Sequence, residues 1–479
     1  MLTYQDLLQV SEKDLDRAAF VRKVINDHKS SNLYLTAHVA DDYDRCRNTT
    51  TMNHQKTVTL VTGQVVPDIY SAAHRSTSNF FNVFITQLNQ YLLGNGVDWK
   101  GTAPDKLGKD FDTKLQKAGK NALSGGVSFG FFNLDHVDVF SVLEFAPLYD
   151  EEDGAMKAGV RFWQIDDQKP LRATFYELDG YTNYLWSSKY AASDPWVHIG
   201  EDAYMQPKKP YITRMITSEI DGTEIYAEEN YPIFPIAPLW GNPHHQSEIV
   251  GLREKIDAYD FILNGFEDDL DNAQLYWIIK GAGGMDDPSL MQFLDRLRMT
   301  KAAAPAEGQD VVPVEVNIPY EARERLLERL EKQLYKDAMI MNPEDIAGGA
   351  ATATQIKAAY ERQNNKADQF EYCVRDFLDG ICAIAGIDNE ASFTRSLIVN
   401  TQEEVTTVIS AAQYLDSEYV TRKILTLLGD GDQAEEVLRR MAAEDQERLN
   451  VGGEVGDDDE DGPEDGSRGS SSRFGGEGV

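Results

Sequence analysis

Cysteine, positive charge and long apolar runs are what this chain of 479 residues has least of. Its three cysteines, Cys46, Cys373 and Cys382, are too few and too scattered for a disulfide framework or a zinc site. A reducing compartment is the expectation. No run approaches the roughly 18 apolar residues that a membrane span needs, and the first twenty residues are amphipathic and charged, without the basic start and apolar core of a secretory signal. Neither secretion nor a membrane partner is expected. Lys and Arg number 46 against 80 Asp and Glu, a formal charge of -34. Without clustered basic side chains to displace counterions, a tight grip on nucleic acid is disfavoured. Passage of a nucleic acid that does not adhere remains compatible with that charge, because like charges within a Debye length of roughly 8–10 Å repel.

Nucleotide and metal chemistry are missing their usual carriers too. No G-x-x-x-x-G-K-[ST] occurs, which removes the ordinary phosphate cradle. The stretch GGAATATQIK, from Gly348 to Lys357, has glycines ahead of a helix but no lysine after them, and Glu344 and Asp345 precede it. It reads as a flexible loop between helices. Gly126-Val127-Ser128-Phe129-Gly130 matches G-x-S-x-G, but a helix precedes and a strand follows, the reverse of a nucleophile elbow. Asp457, Asp459, Asp461 and Gly462 begin like a calcium loop whose twelfth position is Arg468, where a bidentate Glu belongs. His244 and His245 have no carboxylate or Cys at ligand spacing. No catalytic residue, metal or cofactor is expected.

What is present is a succession of distinct patterns. Residues 1–45 have helical periodicity and read as an N-terminal arm, followed by a polar joint at RCRNTTTMNHQ. Helices are expected at FFNVFITQLNQYLL, closing on Gly94 as a C′ glycine, and at FDTKLQKAGKNAL. The period then switches to two, with turns at Asp153-Gly154 and Asp221-Gly222, an α+β region ending in YPIFPIAPLWGNP. From Ser247, a good N-cap, apolar residues fall at Ile249, Leu252, Ile256, Tyr259, Leu263, Phe266 and Leu270, alternating three and four apart. That is a coiled-coil-type seam, which calls for a partner helix, and self-association would supply one. A second long helix opens at Pro319. Between the two lie LYWIIK, a GAGG turn, PSLMQFLDRLR, an alanine-rich loop and VVPVEVNIP, a small α/β insertion. A continuous helix is expected from about Thr354 to Ala385, roughly 48 Å long at 1.5 Å per residue. Its first half is polar nearly all round, and its second carries Phe370, Cys373, Phe377, Ile381 and Ile384 on one face. A strand-like SFTRSLIV follows, then three short helices, with capping signals at Thr401 and Glu404 and at Asp432 and Glu435. The sequence from about 451 onward has the composition of a disordered acidic tail.

In this order of parts the chain resembles the portal proteins of tailed double-stranded-DNA bacteriophages, the head-to-tail connectors, of the long, non-contractile-tail type. The resemblance rests on FFNVFITQLNQYLLGNGVDW, LEFAPLYDEEDGAMKAGVRFWQ, the stretch from YPIFPIAPLW to KGAGG, IPYEARERLLERLEKQLY and the block beginning GGAATATQIK, roughly residues 70–400. It implies an α+β multidomain chain with wing, helical stem, small α/β clip and helical crown, assembled into a cyclic ring, usually dodecameric in the family, at one capsid vertex. The implied domains are an N-terminal helical arm (1–45), wing (46–246), stem helix 1 (247–271), clip (272–318), stem helix 2 (319–341) and tunnel loop (342–355). The long wing helix and end of the wing (356–392), the crown (393–450) and the acidic tail (451–479) complete the chain.

Carried onto this sequence, the tunnel loop supplies Glu344, Asp345, Gly348, Gly349, Thr352 and Thr354. The stem supplies Ile249, Leu252, Ile256, Tyr259, Leu263, Phe266, Glu267 and Asp268 to the channel and to contacts between subunits. The clip supplies Tyr276, Trp277, Gly283, Gly284 and Val314 for docking. Implied partners are double-stranded DNA, terminase, a head-completion or adaptor protein, and the major capsid and scaffolding proteins. The implied location is the virion, after assembly in the host cytoplasm. Two other readings stand beside this one: a ring-forming or coiled-coil scaffold without DNA, and a hydrolase using Ser128.

Overall fold

A computed structural model describes residues 2–53, 55–59, 63–67, 73–100, 104–188, 195–217, 224–272, 277–280, 287–300, 310–313, 320–345, 353–387, 390–395, 401–429 and 431–451. It divides into two units, Met1–Ile398 and Val399–Val479. The first opens with four helices, α1 (Tyr4–Leu8), α2 (Asp14–Ser30), α3 (Asn32–Asp44) and α4 (Thr49–Asn53). A hairpin of β1 (Thr57–Thr59) and β2 (Val65–Pro67) follows, then α5 (Phe80–Leu93), β3 (Asp98–Trp99), α6 (Pro104–Leu107) and α7 (Phe111–Gly125). Next come β4 (Val127–Asn133), β5 (His136–Ser141), β6 (Phe145–Tyr149), β7 (Met156–Trp163), β8 (Leu171–Glu177), β9 (Gly180–Trp186), β10 (Val197–His198) and β11 (Ala203–Met205). The β12 (Ile212–Thr217) and β13 (Glu224–Glu229) hairpin and β14 (Ile236–Trp240) lead into α8 (Arg253–Asn272), β15 (Trp277–Lys280), α9 (Asp287–Thr300), β16 (Asp310–Pro313) and α10 (Tyr320–Ala338). Helix α11 (Ala353–Ala385) and β17 (Ala391–Ser392) finish the unit.

Two apolar cores hold the unit together. In one, α5, α7 and α11 pack on the antiparallel sheet β14-β4-β5, with Phe81, Leu88, Leu123, Phe129, Phe370 and Phe377 all buried. The other fills one side of the antiparallel sheet β10-β11-β9-β8-β7-β6, where Val21, Val24 and Ile25 of α2 meet Leu148, Val160 and Phe175. The N-terminal helices α2 and α3 are therefore packed against these cores. Local chemistry sets several joints. At Gly126, φ is +91° and a Cβ would stand 3.0 Å from the backbone of Gln246 and Ser247, so only glycine turns α7 directly into β4. The β6–β7 turn uses Gly154 at φ +69°, while Asp153 Oδ1 accepts the Ala155 N–H at 2.8 Å.

Several boundaries differ from the sequence reading. Helix α8 starts at Arg253 and not at Ser247, because Gly251 takes a left-handed φ of +85° and breaks the preceding turn; Ser247 instead caps that turn, accepting from Ile249 N at 3.2 Å. The joint after residue 45 contains α4. Gly94 stays right-handed, and Gly96, at φ +78°, makes the turn after α5. Of SFTRSLIV only Ser392 is in a strand, the two-residue Ala391–Ser392 that pairs with β3, and 396–400 lie outside the described residues. The first half of α11 is not solvated all round, since Ile356, Tyr360, Gln363 and Ala367 are buried. The Asp221-Gly222 turn and the tail after 451 also lie outside the described residues.

The second unit contains α12 (Thr401–Ala411), α13 (Ser417–Leu428) and α14 (Ala434–Val451). Asp416 caps α13 by accepting from Glu418 N and Tyr419 N, Gly429 closes it at φ +89°, and Arg422 bridges Glu418 to Glu435 of α14.

Candidate functional site at the foot of the helical hairpin

Helices α8 and α10 run antiparallel, which three cross-links show. Lys255 pairs with Asp337 near one end, and near the other Arg323 pairs with Asp269 at 2.6 Å and donates to Gly265 O at 3.2 Å. The apolar seam of α8 largely finds its partners within the chain. Ile249, Leu252 and Ile256 are buried in the main core, Tyr259 meets the Phe80 ring edge-on at 5.0 Å, and Leu263 and Phe266 are half-buried. The first half of the seam is thus covered within the chain, while Leu270 at its far end is exposed; three-four spacing reports an apolar face and does not say whose atoms cover it.

The acidic residues of α8 are also engaged. Asp268, expected to face the channel or a neighbouring subunit, is buried and holds Lys56, the His74 N–H at 2.7 Å and the His74 ring at 2.9 Å. Burial pushes its carboxyl up, but these donors outweigh burial and hold it below the ordinary carboxylate range. It is not a free charge. Glu267 accepts from Ser76 Oγ at 2.8 Å. Asn264 and Asp260, one and two turns before Asp268, are buried as well; the sequence does not single them out, because polar residues at helical spacing usually mark a wet face.

At the foot of the hairpin, α10 ends with Met339 at φ +56°, and Ile340 N donates to Tyr335 O at 3.1 Å while Met339 N donates to Lys336 O at 3.2 Å. This is a Schellman-type stop built on methionine where glycine is usual. Helix α11 secures it. Met341 N donates to the buried Gln363 Oε1 at 3.1 Å, and Gln87 of α5 donates to Met341 O at 3.1 Å. Lys366 Nζ donates to Ala338 O at 2.8 Å and pairs with Glu248 at 2.6 Å, both side chains about 15% exposed. One lysine on α11 thereby ties the end of α10 to the turn that leads into α8. The residues around it in sequence are polar nearly all round, so nothing in the sequence singles it out.

Pro343–Asp345 form a 3-10 turn in which Glu344 N donates to Asn342 Oδ1 at 3.1 Å. Burial, and then the charge of Glu344, raise the Glu331 carboxyl of α10, so acidic groups do gather where the expected loop begins. Thr354 stands in the first turn of α11, whereas Gly348, Gly349 and Thr352 lie outside the described residues. In the expected clip, β15 and β16 pair antiparallel with Trp277 opposite Pro313, and α9 joins them in sequence. Tyr276, Gly283, Gly284 and Val314 lie outside the described residues.

Ser128 is fully buried in β4, donating to Phe140 O at 3.1 Å, so the G-x-S-x-G match is a helix-to-strand joint. His245 stacks on Trp240 at 3.8 Å. Among the described residues no group of three or more His, Cys, Asp or Glu is placed to hold a metal, and no helix is long and apolar enough to cross a membrane.

These features define a mixed α+β protein built around a braced helical hairpin. The family described as phage portal protein, SPP1 Gp6-like, matches residues 33–450, and the chain belongs to that family of structural proteins. The portal protein of Clostridium phage phiCD119 is 20% identical over 386 residues, covering 74% of this chain and 81% of its own length. That of Bacillus phage SPP1 is 22% identical over 394 residues, covering 77% and 71%. Among solved structures, a chain from the neck of an empty gene transfer agent particle, computed with C6 symmetry, aligns with a TM-score of 0.39 at 12% identity, over 73% of this chain and 90% of that one. One from the native particle's neck, computed with C12 symmetry, gives 0.37 at 12% identity, over 71% and 87%.

Proposed function

We propose that this phage portal protein assembles into a closed ring of twelve copies at one capsid vertex, and that double-stranded DNA is packaged and ejected through the ring. The observation that carries this reading is the family match over residues 33–450. Terminase docks on the ring during packaging and supplies the force; a head-completion or adaptor protein takes its place afterwards, with the region of Tyr276, Trp277, Gly283, Gly284 and Val314 as the docking end. Major capsid and scaffolding proteins surround the ring, which is assembled in the host cytoplasm.

The chain's own contribution is mechanical. The helical hairpin is braced at Lys366, and in sequence the segment 346–352 lies between Glu344 and Asp345 on one side and Thr354 on the other. Carboxylates there repel a passing phosphate backbone across roughly a Debye length of 8–10 Å. Gly348 and Gly349 accept backbone angles closed to other residues, and the alanines and threonines beside them offer no firm grip. The proposed wall charges are Glu344 and Asp345, since Asp268 is occupied within its own chain.

Deleting Gly348 to Thr352 tests this assignment. The expected result is a ring of normal mass with impaired DNA packaging or retention. Normal packaging by the deleted chain would remove the loop from the account while leaving the ring intact.

A further inference from the structure

The extended stretch from His74 to Ser78 lies along α8 in an unusual way. Its alternate N–H groups reach side chains spaced four apart: His74 N to Asp268 Oδ1 at 2.7 Å, Ser76 N to Asn264 Oδ1 at 2.6 Å and Ser78 N to Asp260 Oδ1 at 2.9 Å. Asn264 Nδ2 also donates to Ser76 O at 2.9 Å, so this amide holds both polar groups of one residue. The spacing has a simple origin. Two residues of extended chain advance about 6.6 Å and four residues of helix about 6.0 Å, a mismatch small enough for three contacts, two steps apart from first to last, to stay in register. All three side chains on α8 are buried under the stretch. The ladder bonds are to main chain and depend on the residues of the helix, while the His74 ring and Ser76 Oγ add side-chain bonds to Asp268 and Glu267.

The two ends of this ladder differ. Asp260 takes the Ser78 N–H and the Asn48 side-chain amide, both neutral donors. Asp268 takes Lys56 and the His74 ring as well as the His74 N–H, and the other ring nitrogen of His74 lies 3.2 Å from Asp271. A cleft of about 200 Å³ lined by Thr50, Thr51, Lys56, His74, Phe261 and Asp268 opens at this charged end.

We propose that His74–Ser78 is a detachable strap on α8, and that the His74–Asp268–Lys56 cluster is the latch that sets whether its first end is docked. The strap peels from His74 toward Ser78, because charge and solvent access meet at the His74 end. The charged groups that face the latch are Lys56 ahead of β1, and Glu267 and Asp271 on α8; Asp269, also on α8, is committed to Arg323 of α10. The hydrogen bond to Asp268 raises the His74 ring above its ordinary value, while Asp268 is held below its own. The signs follow from linkage. The histidine's contribution is complete below about pH 6.5 and is lost as pH rises through the raised value; the carboxylate's contribution is lost only on strong acidification. Raising the pH through the neutral range therefore slackens the His74 end.

Residue-resolved hydrogen exchange on the full-length chain tests the strap. Asp268→Asn is expected to speed exchange of the His74 amide about tenfold or more, the loss of a hydrogen bond to a charged acceptor, with Ser78 and the α5 amides unchanged within about threefold. Asn264→Leu should free Ser76 in the same selective manner. Uniform acceleration of His74, Ser76, Ser78 and α5 would reduce these residues to plain structural support and overturn the latch. The unsubstituted protein provides a test that does not depend on a variant folding. Corrected for intrinsic rates, His74 should gain exchange over Ser78 between about pH 6 and 9, and His74→Gln should abolish that gain. An unchanged ratio across this range also overturns the proposal.

Discussion

Replacing Lys366 with methionine keeps the length and apolar stem of the side chain and deletes the one group that joins Glu248 to Ala338 O. Glu248 is then left about 15% exposed, with the Asn242 side-chain amide at 2.8 Å as its remaining side-chain donor. Breaking a buried ion pair from one side costs about 3–5 kcal/mol, and the residual exposure of both groups puts this pair at the lower end, about 3 kcal/mol. If that energy is localised at the foot of the hairpin, the Met341 amide, which donates to Gln363, should exchange about a hundredfold faster while the core of α7 is unaffected. Adding Glu248→Gln removes the uncompensated carboxylate and should restore part of the protection. An acceleration of Lys366→Met below about threefold, or a double variant worse than the single one, would refute the claim that this lysine braces the hairpin.

Two further perturbations probe the packing that carries the hairpin. His28 is buried, its Nε2 lies 2.7 Å from Val142 O, its Nδ1 has no hydrogen-bond partner among the described residues, and burial lowers its basicity despite that hydrogen bond. The unfolded chain then binds the proton more readily, so stability should fall as pH drops below about 6.5, by up to about 1.4 kcal/mol per pH unit until the lowered folded value is reached. Chemical denaturation at several pH values should show this slope in the native protein and its loss in His28→Gln. Gly130→Ala would place a Cβ 2.5 Å from Phe377 Cζ, where α11 crosses β4, and should destabilise by about 1–3 kcal/mol, read as a lower denaturation midpoint. Pairing it with Phe377→Leu should recover much of that loss.

Much of the skeleton could be read from residue periodicity. Helices α5, α10 and α11 carry apolar faces at helical spacing, and the Asp153-Gly154 turn has the residue types its backbone requires. The failures share a cause: a one-dimensional pattern shows that a face is apolar or polar and is silent about what lies against it. The seam of α8 implied a second chain, and its first half is filled by α5, α10 and the main core. Asp260, Asn264, Asp268, Gln363 and Lys366 looked solvated and are polar groups satisfied in or beside the interior. His74–Ser78 has no periodicity, because its hydrogen bonds go to helix side chains and not to a neighbouring strand. Of the expected site, Glu344 and Asp345 form a turn shortly after the end of α10 and Thr354 stands in the first turn of α11; the glycines between them fall outside the described residues.

The central claim is that this chain works as a ring around DNA, and the mass of the purified native particle tests it most directly. Native mass spectrometry should give a discrete species near twelve times the 53.7 kDa chain, and electron micrographs of the same sample should show an axial channel. A strict monomer at every concentration, or a closed assembly without a channel, would contradict the account.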